Sequence, residues 1–181
     1  MKILRASDIH GDFDSAQKII NVFKQESCDK ILLLGDILYH GPRNNLPVTY
    51  SPKSVIELLN TYKNYILAVR GNCDTEVDQM VLDFPILSDY AYLCLDGLNI
   101  FATHGHKFNT QNIPPLTRGD ILLHGHTHIL KCEAFGDENT YMNPGSVAIP
   151  KEDNPRTYMI YENRTFTVKD LDGNTVFEKD F

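Results

Sequence analysis

Through the first seventy or so residues, short runs of consecutive apolar residues alternate with stretches whose apolar positions recur every three or four residues. Ile31-Leu32-Leu33-Leu34, Ile66-Leu67-Ala68-Val69 and, further on, Ile121-Leu122-Leu123 are continuous and run into glycine-containing turns, a pattern that predicts strands buried on both faces. Such strands need helical covers. The first predicted helix spans 14–25, with Asp14 as its cap, Gln17 at the capping-box position, and Ala16, Ile19, Ile20 and Phe23 on one face. A second starts at Ser51, with Pro52 in the first helical position and Val55, Leu58, Leu59 and Tyr62 at helical spacing. The order strand, helix, strand, helix, strand predicts an α/β sheet with parallel crossovers.

From about residue 90 the texture changes to short alternating segments at 90–95, 98–103, 121–124, around 141, and at 158–161, 165–168 and 175–177. Asp96-Gly97 and Asp172-Gly173 favour hairpin turns between them. A second, more antiparallel sheet packed on the first is expected. The 181 residues suit one domain with a sizeable core, and the proline-bearing loops at 41–47 and 114–115 are too short to be linkers.

Chemistry enters where the apolar runs end. Five of them lead into Asp8-Ile9-His10, Gly35-Asp36, Gly71-Asn72, Thr103-His104-Gly105 and Gly125-His126-Thr127-His128. In an α/β sheet ligands collect beyond the carboxyl ends of the strands, so Asp8, His10, Asp36, Asn72, His104, His126 and His128 are expected to converge. Singly the motifs are weak: Asp-x-His also reads as a cap beside a surface histidine, and Gly71-Asn72 as a plain turn. His126 and His128 say more, because positions i and i+2 of an extended segment point to one side. Imidazole, carboxylate and amide oxygen together suit borderline or hard dications such as Mn²⁺, Zn²⁺ or Fe²⁺, and two such ions imply metal-assisted hydrolysis.

The ordered set of five motifs resembles the calcineurin-like metallophosphoesterase superfamily, and within it the small bacterial YfcE-type phosphodiesterases. The likeness covers essentially the whole chain, including Gly41-Pro42-Arg43-Asn44, Val69-Arg70-Gly71-Asn72-Cys73-Asp74 and Asn143-Pro144-Gly145-Ser146. It implies a four-layered α-β-β-α sandwich with two mixed sheets and a dinuclear metal site at the carboxyl ends of the strands. It assigns Asp8, His10 and His128 to one metal, Asn72, His104 and His126 to the other, and Asp36 to both. The implied cofactors are two divalent ions, Mn²⁺ first, with Zn²⁺, Fe²⁺, Ni²⁺ and Co²⁺ as alternatives. The implied nucleophile is a bridging water made acidic by the two charges, and the implied substrate a small phosphate diester.

Cys73 departs from the pattern. Many members of the superfamily carry histidine directly after the metal-binding asparagine, where it protonates the leaving group or stabilises charge. A thiol is a weak donor with an ordinary pKa of about 8.5, so esters with poor leaving groups are expected to react slowly; a small buried apolar residue is the competing reading of Cys73. Asn72 and Cys73 are thus the candidate catalytic positions, joined by Arg43, whose guanidinium suits a phosphate oxygen or equally a solvated loop or subunit contact. His106 and His124 are expected to be structural. Arg70 is expected to pair with a nearby carboxylate such as Asp74, and the turn at 143–146 to bring backbone towards the site or simply to turn the chain.

The net charge of −7 argues against a large nucleic-acid footprint, which needs a basic face. Cys28, Cys73, Cys94 and Cys132 form no Cys-x-x-Cys pair, which suits a reducing cytoplasm. The first motif begins too soon after Met1 for a signal peptide, and no apolar stretch is long enough to span a bilayer. Homo-oligomerisation is a further expectation of the resemblance. The competing functions are a phosphomonoesterase of the same superfamily and a non-catalytic scaffold of the same fold.

Overall fold

Alternation along the first strands sorts their side chains between two cores. In the computed structural model, which describes residues 1–136 and 138–181, strands β1 (Ile3–Ala6), β2 (Lys30–Leu33) and β3 (Ile66–Ala68) run parallel. Leu4, Ala6, Ile31 and Leu33 pack under the helices, whereas Ile3, Leu32 and Leu34 face the second sheet. Helix α1 (Phe13–Gln25) buries Ala16, Ile19, Ile20 and Phe23 as its periodicity predicts. Its cap, however, is Asp12 and not Asp14, because the Asp12 carboxylate accepts from the Ser15 N–H at 3.1 Å and the Ser15 hydroxyl at 2.6 Å. Asp14 lies in the first turn, where its charge still favours the helix N-terminus. Gln17 donates to Asn21 at 3.1 Å and closes no capping box. Helix α2 (Pro52–Thr61) begins on Pro52 as expected and buries Val55 and Leu59.

Two expectations about the strands are corrected. Ile66-Leu67-Ala68-Val69 is not buried on both faces: β3 is the edge of its sheet, and Leu67 is 42% exposed. The strands after residue 90 do not all form one further sheet. Strands β4 (Tyr90–Leu95), β5 (Leu98–Thr103), β6 (Ile121–Leu123), β7 (Leu130–Phe135) and β8 (Asn139–Pro144) make a second sheet in the order β4-β5-β6-β8-β7. Its centre, β5-β6-β8, is parallel and only its edges are antiparallel. Strands β9 (Thr157–Glu162), β10 (Thr165–Asp170) and β11 (Thr175–Asp180) instead extend the first sheet on the open side of β1, giving β11-β10-β9-β1-β2-β3. Burial explains the choice: residues 157–161 are buried throughout, as an interior strand flanked by helix on one face and sheet on the other requires. The hairpins at Asp96-Gly97 and Asp172-Gly173 form as predicted.

The result is the expected α/β architecture of two mixed sheets face to face. Helices α1 and α2 cover the first, as does the region of a short helix α3 (Glu76–Gln79) that periodicity does not reveal. On the outer face of the second sheet Phe101, Leu122 and Tyr141 are covered by Phe108 and Leu116 from the irregular stretch 104–120. Between the sheets the Arg5 guanidinium is fully buried, 5.0 Å from the Tyr161 ring centroid and 4.8 Å from that of Phe166. Burial lowers its pKa to about 9, and the ring faces supply the compensating attraction.

Candidate metal centre

The motif turns follow the carboxyl ends of β1, β2, β3, β5 and β6, so side chains from both sheets meet along one seam. The local backbone is unusual there. Asp8 (φ 58°), His10 (49°), Asp36 (55°), His126 (66°) and His128 (62°) are all left-handed, a conformation that costs non-glycine residues energy and persists where the surroundings over-determine it. Two glycines permit the crowding. A Cβ on Gly71 would lie 2.1 Å from Asp36 Oδ1, and one on Gly125 would lie 1.8 Å from Ser7 Oγ.

All seven sequence-predicted donors come together in two adjoining groups. In the first, His10 Nε2 and His128 Nε2 are 3.2 Å apart, and Asp8 Oδ1 is 3.5 Å from the former and 3.3 Å from the latter. In the second, His104 Nε2 is 3.1 Å from Asn72 Oδ1 and 3.2 Å from His126 Nδ1. Asp36 lies between them, its Oδ2 being 3.7 Å from His10 Nε2 and 3.5 Å from His104 Nε2.

Several features of this arrangement suit cations. His10, His128 and His104 each spend Nδ1 on a backbone carbonyl, of Tyr39 (2.7 Å), Ile149 (2.7 Å) and Leu34 (2.6 Å). That points each Nε2 inward, with its lone pair available to a cation once the ring has given up its proton. Two lone pairs 3.2 Å apart form no hydrogen bond with each other, yet about 3.3 Å is the spacing of two ligands on one tetrahedral ion at 2.0–2.1 Å. Asp8 Oδ2 is satisfied by the Ser7 hydroxyl (2.6 Å) and the His126 N–H (3.0 Å), but the buried Asp8 Oδ1 has no hydrogen-bond partner among the described residues. A buried carboxylate oxygen left so would be costly unless a cation takes it.

The electrostatics point the same way. Burial alone would raise the pKa of Asp8, but its contacts with His10 and His128 hold it well below the usual carboxylate range. Burial disfavours a charged His104, and Asp36 and Asp8 outweigh it, raising that imidazole to about 9. Burial followed by the neighbouring His104 charge lowers His126 to about 4. Burial likewise raises the Cys73 thiol, with Asp36 adding to it.

The supporting shell differs in one place from the sequence expectation. Arg70 does not pair with the Asp74 carboxylate; its Nε donates to the Asp74 backbone carbonyl (3.2 Å) and its terminal nitrogen lies 3.4 Å from Glu76. The Asp74 carboxylate is already engaged by three backbone N–H groups, of Asp36 (2.8 Å), Ile37 (2.9 Å) and Gly71 (2.7 Å). It thereby ties the loop after β2 to the loop after β3. The turn at 143–146 reaches the site through side chains: Ser146 Oγ donates to the Asp8 carbonyl (2.9 Å), and Asn143 Nδ2 to the Gly125 carbonyl (2.9 Å).

Above the donors opens a cleft of about 390 Å³ whose walls include Asp36, Asn72, His126 and His128 together with Arg43, Asn44, Cys73 and Lys151. Arg43 and Cys73 are thus placed beside the donor groups. Lys151 is a cleft residue that sequence reading passes over, since a lone lysine in a proline-flanked loop carries no signal. His124 is buried against Tyr141 and His106 is half-buried beside His104 and His126, and neither belongs to the two donor groups.

Comparison with known proteins agrees with this geometry. Residues 1–165 match the model of the calcineurin-like phosphoesterase superfamily domain, and the chain belongs to that superfamily, a family of metal-dependent phosphoesterases. Phosphodiesterase YfcE of Escherichia coli is 43% identical over 176 residues, covering 97% of this chain and 95% of that protein. The solved structure of that E. coli phosphoesterase superposes with a TM-score of 0.95 at 42% identity, over 99% of this chain and 98% of the other. A structure of Vps29 from Entamoeba histolytica, in complex with Zn²⁺, shares the fold at a TM-score of 0.63 and 22% identity, over 99% of each chain.

Proposed function

We propose that the chain, acting as one domain of 181 residues, is a dinuclear phosphodiesterase for small phosphate diesters. Asp8, His10 and His128 would hold one divalent ion, Asn72, His104 and His126 the other, and Asp36 both. The carrying observation is the meeting of seven donors in two adjoining groups, with Asp8 Oδ1 in the first, buried and without a hydrogen-bond partner among the described residues. When bound there, a pair of dications supplies Lewis acidity towards phosphoryl oxygens and an acidified water as nucleophile. Mn²⁺ leads the proposal, with Zn²⁺, Fe²⁺, Ni²⁺ and Co²⁺ compatible with the same nitrogen and oxygen donors.

The chain's own residues do the rest. Arg43 and Lys151 bring positive charge to the cleft wall and orient the non-bridging phosphoryl oxygens. Asp74, Ser146 and Asn143 keep the donor loops in place before substrate arrives, which lowers the cost of reaching the transition state. The 43% identity to a phosphodiesterase supports the diester reading. The fold shared with Vps29 leaves a binding scaffold as the contrasting reading, and the complete donor set favours the enzyme. Four unpaired cysteines support a cytoplasmic setting, and no helix among the described residues is long and apolar enough to cross a membrane.

The test is turnover of bis(p-nitrophenyl) phosphate against p-nitrophenyl phosphate, before and after chelation and on return of Mn²⁺. The diester is expected to react about tenfold faster or more, a difference of about 1.4 kcal/mol in barrier, with activity lost on chelation and restored by metal. Faster monoester turnover would reassign the chain to the phosphatases, and no metal-restored turnover of either would leave the scaffold.

Cys73 makes a separate prediction. A thiol is a weak donor, and burial with Asp36 beside it raises its pKa further, so it does not replace an imidazolium in protonating a departing alkoxide. Rates should therefore fall steeply as the leaving-group pKa rises along a series of aryl and alkyl diesters. Cys73→His should raise alkyl-ester turnover by about 10²-fold, the lower end of what a general acid contributes. An unchanged alkyl rate in that variant would remove Cys73 from the account of leaving-group preference.

A further inference from the structure

Beside the metal cleft lies a second hollow, of about 370 Å³, that adjoins it along His126 and Thr127, which line both. Its volume is within the range of small-ligand sites. One wall holds a buried imidazole with an unused nitrogen. His124 is 3% exposed, its ring lies 4.5 Å from that of Tyr141, and its Nδ1 donates to the Gly125 carbonyl at 3.0 Å. That leaves Nε2 as an acceptor, and it has no hydrogen-bond partner among the described residues. His106, which lines the same hollow, has a buried Nδ1 in the same condition. Thr110, Gln111 and Glu133 add a hydroxyl, an amide and a carboxylate to the lining.

The two cavities differ in charge. The metal cleft has Arg43 and Lys151 in its wall and suits an anionic phosphoryl group. In the second hollow the lining cation Lys131 lies 3.6 Å from the Glu133 carboxylate, so the two opposite charges offset and the lining carries no net positive charge to favour a second anion. His124 Nε2 and the Glu133 carboxylate are acceptors, while His106 Nδ1 accepts or donates according to its tautomer, and a hydroxyl group can serve either role. A ligand bearing several hydroxyl groups supplies these partners, whereas an alkyl group of equal size would leave the buried nitrogens unpaired at a cost.

We propose that this hollow receives a neutral, hydroxyl-bearing arm of the substrate, a short polyol of glycerol or sugar size, while the phosphoryl group occupies the metal cleft. The proposal rests on the phosphodiesterase reading and narrows its substrate class: a diester has two arms, and the site has a second, differently lined space beside the reacting group.

The experiment is titration calorimetry of the metal-loaded protein with glycerol 3-phosphate and with methyl phosphate, beside kcat/KM for glyceryl and methyl p-nitrophenyl phosphate. The glycerol compound of each pair is expected to be favoured about tenfold or more, about 1.4 kcal/mol. His124→Phe keeps a ring against Tyr141 and removes the acceptor, and Thr110→Leu fills the hollow from another wall. Each should reduce the preference to about threefold or less. Equal binding of the two monoesters by the unsubstituted protein overturns the proposal, as does a preference kept in both variants. Preferential glycerol 3-phosphate binding without turnover of either diester would uphold the hollow's assignment and sink the phosphodiesterase reading instead.

Discussion

Asp36→Asn is expected to lower diester hydrolysis by about a thousandfold or more, some 4 kcal/mol in barrier, with the fold retained. Asp36 lies between the two groups, with Oδ2 at 3.7 Å from His10 Nε2 and 3.5 Å from His104 Nε2. Its Oδ1 accepts from the Cys73 N–H at 2.8 Å, and the asparagine oxygen would keep that bond. The amide nitrogen would then take the place of Oδ2, putting a donor where the proposed bridging carboxylate has an anionic oxygen. Metal analysis after dialysis should find fewer than two ions per chain. A variant that retained two ions and near-native turnover would show that Asp36 does not join the two groups.

The second large effect concerns stability. Asp74→Ala removes a carboxylate that accepts from three backbone N–H groups, those of Asp36, Ile37 and Gly71. Asp74 is 1% exposed, so water does not readily replace it. Each orphaned donor costs about 1–3 kcal/mol, against a total stability of about 5–15 kcal/mol for a domain. At roughly 2–4 °C per kcal/mol for a chain of this size, thermal unfolding of the metal-free protein should move down by about 10 °C or more. Asp74→Asn, which can keep its oxygen on the Asp36 and Gly71 amides while losing that of Ile37, should fall between. A shift in Asp74→Ala of under about 2 °C would mean that the two loops hold their shape without this brace.

Asp74 also shows where sequence reading stops. Its position two residues after Asn72 marks it as a neighbour of the site, and pairing it with Arg70 was the reasonable guess from charge. Backbone amides won because three of them converge on a side chain already buried, and no pattern in the sequence encodes that convergence. The seven donors are legible for the opposite reason: they sit in five turns that each end an apolar run, and strand direction alone carries those turns to one edge. Their left-handed backbone was not legible, since Asp8, His10, Asp36, His126 and His128 adopt it through tertiary constraint and not by residue preference.

In the fold, the apolar runs identified β2 and β6, but β7 went unseen because Leu130-Lys131-Cys132-Glu133-Ala134-Phe135 is an edge strand with little buried. The hairpins followed from their Asp-Gly turns. Which sheet β9 to β11 would join could not follow from alternation, because either sheet would accept the same pattern; the open side of β1 decided it. Arg5 was likewise invisible as a core residue, its burial resting on two aromatic faces contributed by β9 and β10.

That late return of the chain to β1 has a consequence for how the molecule is made. Leu4 lies opposite Ile160, so β1 leaves the ribosome long before the strand that closes its second side. Residue 128, the final donor, is synthesised while half of the sheet that carries Asp8 and Asp36 is still missing. Pairings so distant along the chain slow folding and leave a sticky β1 edge bare in the interval. A nascent chain stalled after β8 should therefore be a client for chaperones rather than a half-built enzyme.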